Sequence, residues 1–112
     1  MSVNTLILEP PRPHRRAPLG GVTASVRRGT MGLGPDLATG VLYLTDDSAC
    51  VRLTAPLAEG DEAELVLSQP NGHRTKLVVE AKWCATLSDR NHLVKLQFRR
   101  PLPHREIAEL AR

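Results

Sequence analysis

Thr75-Lys76-Leu77-Val78-Val79-Glu80-Ala81-Lys82-Trp83-Cys84-Ala85 is the run on which the fold turns. In an extended chain Leu77, Val79, Ala81 and Trp83 share one face, and Lys76, Val78, Glu80, Lys82 and Cys84 share the other. Alternation of this kind marks a strand with one buried face, so Trp83 is assigned to the core. Immediately upstream, Gln69-Pro70-Asn71-Gly72 is a hairpin signal, because Asn-Gly readily adopts the positive-φ geometry of a tight turn. Before that turn, Ala63, Leu65 and Leu67 alternate with Glu64, Val66 and Ser68. Downstream, Ser88-Asp89-Arg90-Asn91 reverses the chain into a strand with Val94, Leu96 and Phe98 on one side and Leu93, Lys95 and Gln97 on the other.

Working outward, Gly20-Gly21 turns the chain into a strand in which Val22, Ala24 and Val26 alternate with Thr23, Ser25 and Arg27. Residues 29–40 hold Gly29, Gly32, Gly34, Pro35 and Gly40 and read as a connecting loop. Val41 to Thr45 and Ala49 to Leu53 then form a hairpin across Asp46-Asp47, where Ser48 can bond the turn backbone. Pro101 and Pro103 stop the final strand, and Glu106 to Leu110 suits a short helix with Ile107 and Leu110 on one side. Hairpin-length connections leave no room for parallel crossovers. The predicted fold is therefore mainly β, a small antiparallel six-stranded barrel with a short C-terminal helix, which also removes exposed sheet edges. Residues 1–20 are read as an extended arm and residues 21–112 as the barrel with its helix.

The chain of 112 residues is one domain with a formal charge of +3. That excess favours anionic partners mildly. Tyr43, Trp83 and Phe98 are the only aromatic side chains. Such scarcity argues against a reader that stacks successive bases, and so against DNA or RNA as the partner. Cys50 and Cys84 have no metal or redox spacing and read as buried thiols in a reducing compartment. His14, His73, His92 and His104 are scattered, which predicts no metal site. A nucleophile elbow is lacking, and Asp46-Asp47 reads as a solvated turn, so no enzyme is expected. The start of the chain carries no signal-peptide pattern and no apolar run approaches spanning length, which predicts a cytoplasmic protein without membrane insertion.

The remaining feature is Arg12-Pro13-His14-Arg15-Arg16, with Pro10, Pro11 and Pro18 around it. Proline holds this stretch extended and out of a central strand. Each guanidinium offers a planar fork that grips phosphate or stacks on a base. Arg27-Arg28 either extends this basic face or is simply solvated.

The order of parts resembles the PilZ domain over residues 12–110: an RxxxR arm, an alternating strand, a strand–turn–strand with a small polar turn, a long hairpin, a strand ending in Phe98, a proline break and a helix. PilZ domains bind the bacterial second messenger cyclic di-GMP through RxxxR and [D/N]xSxxG. Arg12 and Arg16 match the first motif, with Arg15 beside them. In one register of the second, Tyr43 stands for the acid or amide, Thr45 for the serine and Ser48 for the glycine. Another register, Asp46 to Val51, keeps Asp and Ser but loses the glycine and shifts the strands by three residues; the first keeps Ala49 to Leu53 in step with the family. Lys95-Leu96-Gln97-Phe98 looks like the family's GVxF with lysine for glycine. The resemblance implies a module in which the arm closes over cyclic di-GMP, with Arg12, Arg15, Arg16, Tyr43, Thr45 and Ser48 around the ligand, no other cofactor, and a downstream effector protein as a possible second partner. The eroded second motif leaves open a PilZ adaptor that works through protein contacts without nucleotide.

Overall fold

The computed structural model describes residues 15–111. Six strands, β1 (Thr23–Arg28), β2 (Ala38–Leu44), β3 (Ser48–Leu53), β4 (Glu62–Ser68), β5 (Arg74–Thr86) and β6 (His92–Phe98), are followed by one helix, α1 (His104–Leu110). All ladders are antiparallel and the strand order is β1-β4-β5-β6-β3-β2. The sheet curls into a half-barrel that brings its edge strands β1 and β2 together. No ladder joins them. Instead Leu37 N donates to Val26 O over 2.8 Å. Asp36 Oδ1 accepts from Val26 N at 2.9 Å and Ala38 N at 3.0 Å. Beyond this clasp the edges part around a cleft of about 300 Å³ lined by Val22, Ala24, Ala38 and Val41.

The alternating side chains fill the inside of the curl. Val26, Val51, Leu53, Leu65, Leu67, Val79, Val94 and Leu96 are buried, with Phe98 among them. Each such aliphatic residue contributes roughly 1.5–3 kcal/mol by leaving water. Ile107 and Leu110 bury the expected face of α1 against this core. A helix of this length persists only when docked. No helix among the described residues is long and apolar enough to cross a membrane.

The turns follow their chemistry. Gly72 has φ +90° and donates its N–H to Gln69 O, as the Asn-Gly signal requires. Gly21, at the junction of arm and barrel, has φ +84°, and a Cβ there would lie 2.6 Å from Pro70 Cγ. Only glycine fits that crossing. Arg27 and Arg28 tie down the connecting loops by donating to the carbonyls of Gly34 and Pro56.

Three expectations need correction. The strand placed at Val41 begins earlier, at Ala38, because Thr54 N and the Asp36 carboxylate hold the end of the presumed loop against its neighbours. Trp83 does not enter the core: it is 41% exposed. A bulge between Ala81 and Trp83 adds Lys82 to β5, so Ala81 pairs with Leu96 while Trp83 pairs with Lys95. One inserted residue flips every side chain after it. Cys84 is turned inward by the same shift and packs, half-buried, on the core.

Candidate functional site

Arg12 lies outside the described residues; the arm can be followed from Arg15. Arg16 and Leu44 exchange two backbone hydrogen bonds of 2.8 Å each, so the arm adds a short antiparallel bridge to the free edge of β2. Pro18 then bridges Ala111, and Leu19 N donates to Leu110 O at 2.9 Å. Leu44 immediately precedes Thr45. The arm and the β2–β3 turn, far apart in sequence, meet at one corner of the sheet.

That turn is heavily cross-linked. Thr45 N donates to Ser48 O at 2.8 Å. Ser48 N donates to Thr45 Oγ1 at 2.9 Å, the two hydroxyls are 2.7 Å apart, and Thr45 Oγ1 donates to Asp47 Oδ1 at 3.0 Å. Phe98 N and the Gln97 amide both donate to Asp47 O, and Leu102 N donates to Asp46 O. Thr45 and Ser48 are almost fully buried, at 3% and 2% exposure. Their hydroxyls are engaged in fixing the turn, and the surface of this corner is left to the arm, Tyr43 and the exposed Asp46.

Tyr43 reaches the outer wall through a second bulge. Val41 pairs with Val51 and Tyr43 with Cys50, which leaves Leu42 as the extra residue. The Arg15 guanidinium carbon sits 4.5 Å from the Tyr43 ring centroid, a cation–π contact. Cys50 is paired with Tyr43 on one side and Lys95 on the other, and Lys95 is paired with Trp83. The outer wall thus carries one cross-strand row, Tyr43–Cys50–Lys95–Trp83, with Arg15 stacked on its first member.

Electrostatics tie the row together. Burial raises the Tyr43 pKa, the neighbouring Cys50 raises it further, and Arg15 pulls against both. Burial also raises the Cys50 pKa, opposed by Arg15, Tyr43 and Lys95. Both groups are held as neutral phenol and thiol at pH 7, so the net charge of the row is the positive charge of Arg15 and Lys95.

Arg15, Arg16, Tyr43, Thr45 and Ser48, all expected from the sequence, are brought to one corner. Lys95 and Trp83, which sequence reasoning did not group with them, continue the row away from this corner. Lysine in place of the expected glycine before Leu96 was the available signal. For Trp83 there was none, since its exposure depends on a bulge. A cleft of about 330 Å³ lies elsewhere, between the start of β5 and the Pro101–Pro103 stretch, and gathers His73, Arg74, Lys76 and Arg100 with Glu106. Comparison of the chain with protein-family models, with curated proteins and with solved structures returned no match.

Proposed function

We propose that this chain is a PilZ-type binding module for cyclic di-GMP, acting in second-messenger signalling in the cytoplasm. The observation that carries the reading is the paired backbone bond between Arg16 and Leu44, which sets the arginine arm against the end of β2 beside the Thr45–Ser48 turn. These are the two segments the PilZ resemblance requires to meet. Arg15, stacked on Tyr43, presents a flat cationic surface on which a guanine can lie. Arg16 and Arg12 supply forks for the phosphates. Tyr43 offers a donor and acceptor to a base edge but not the bidentate acceptor of a carboxylate.

A second reading, an adaptor that binds protein without nucleotide, is favoured by one observation. The hydroxyls of Thr45 and Ser48 are engaged with each other inside the turn.

Calorimetric titration with cyclic di-GMP separates the two. The proposal expects saturable binding by the wild type and a loss of about a hundredfold or more in Arg12→Ala/Arg16→Ala, since each charged hydrogen bond contributes about 1.5–3 kcal/mol. Absence of heat, or affinity indifferent to the double substitution, overturns it in favour of the adaptor.

A further inference from the structure

Two of the three aromatic rings of this chain leave the core, and each does so at a bulge. In a regular strand Tyr43 would share the inward face of Val41, two residues before it, and Trp83 that of Ala81; the bulges at Leu42 and Lys82 turn both rings outward. Of the three irregularities in the sheet, the one between Ala38 and Gly40 turns out no aromatic ring; the other two, at Leu42 and Lys82, lie on strands that are not neighbours, yet they deliver both rings to the same row of the same wall. Bulges that serve only packing have no reason to agree in this way. Between the rings stand Cys50, buried and neutral, and Lys95. Trp83 is 41% exposed, and no ion pair engages Lys95 among the described residues.

Such a row recognises a ligand with a π face at each end and negative charge in the middle. Strands in a sheet are about 4.8 Å apart, so three steps place the Tyr43 and Trp83 backbones about 14 Å from each other. Stacked bases lie only about 3.4 Å apart. A ligand touching both rings must therefore hold its bases spread, one from the other.

We infer that Lys95 and Trp83 are the second half of the binding site, and that a dinucleotide lies across β2, β3, β6 and β5 with one base on Arg15 and Tyr43, phosphate at Lys95 and the other base on Trp83. The inference rests on the dinucleotide reading proposed above and adds a contact surface outside both motifs. It carries a specificity consequence: a mononucleotide fills half the row, so GMP binds far more weakly than cyclic di-GMP.

Trp83 is the only tryptophan, so its emission reports on its own surroundings. Titrating the wild type with cyclic di-GMP is expected to quench that emission with the same midpoint as calorimetry. Trp83→Ala is expected to weaken binding about tenfold, the scale of one base–aromatic stack, and Trp83→Tyr to restore most of it. Lys95→Ala is expected to cost about fivefold and to flatten the salt dependence. Matched thermal midpoints confirm that the variants are folded; should Trp83→Ala fail to fold, the wild-type emission and Lys95→Ala decide. Calorimetric binding by the wild type with unmoved Trp83 emission and unaltered affinity in Lys95→Ala overturns this inference and leaves the proposed function standing. Wild-type protein that gives no heat with cyclic di-GMP overturns both.

Discussion

Two basic regions of this molecule differ in kind. The cleft at the start of β5 gathers Arg74, Lys76 and Arg100 with His73 and Glu106 around a concavity of about 330 Å³ and contains no tyrosine, tryptophan or phenylalanine. The corner at the end of β2 lies on the outer wall of the sheet. It combines Arg15 with Tyr43 and continues through Lys95 to Trp83. Charge in a hollow attracts anions of any shape, whereas charge interleaved with π surface selects among them. The corner is also the better braced: its turn is closed by side-chain and backbone bonds, and the arm is tied at Leu44 and at Ala111.

The largest expected effect tests the bracing. Thr45→Val keeps the shape of the side chain but removes the hydroxyl that Ser48 Oγ, Ser48 N and Asp47 Oδ1 all engage. Leaving buried Ser48 without its partner should cost about 2–3 kcal/mol of stability, read from the denaturant midpoint at constant slope. A loss below about half a kcal/mol would show that the corner is not preorganised by its turn, and the contrast with the cleft would lose its basis.

Next in size is the affinity difference between the regions. Arg15→Ala should weaken cyclic di-GMP binding about tenfold, or 1.4 kcal/mol, while Arg74→Ala/Arg100→Ala should leave it within twofold. The reverse result would move the ligand to the cleft.

The smallest effect concerns pH. Tyr43 and Cys50 both have raised pKa values, chiefly through burial. An acid raised in the folded state binds its proton more tightly there than when unfolded. The associated stability is thus complete below the ordinary thiol value of 9.0 and is lost as pH climbs through the folded values. Stability should decline on the alkaline side of pH 9, and Cys50→Ala should flatten the first part of that decline. An unchanged slope in Cys50→Ala would detach the thiol from the row.

Most of the fold could be read from side-chain alternation. Ala63 to Ser68 and Val94 to Phe98 point as their patterns require, and Asn71-Gly72 makes its turn. These features are local or repeat with a fixed period. The arm was legible in its prolines and arginines, but its meeting with the end of β2 only through the order of parts. What escaped reading depends on pairing between distant strands. A bulge is invisible until the partner strand is known, so Trp83, apolar and in phase with Leu77, Val79 and Ala81, was assigned to the interior. The closed hydrogen-bond set of Thr45 and Ser48 escaped for a related reason: a hydroxyl three residues from another can face a ligand or face its neighbour, and composition does not distinguish the two.

The clasp at Asp36 has a consequence for how the molecule moves. Elsewhere the half-barrel is sewn by antiparallel ladders, two of them bulged, but β1 and β2 are fastened at one end of their seam by a single carboxylate and one amide–carbonyl pair. Breathing of the structure is thereby directed to one place, where Thr23–Ala24 and Gly40–Val41 already stand apart. The wall bearing Tyr43 begins on that same strand, so its least restrained margin is the one from which it can adjust its curvature to whatever settles upon it.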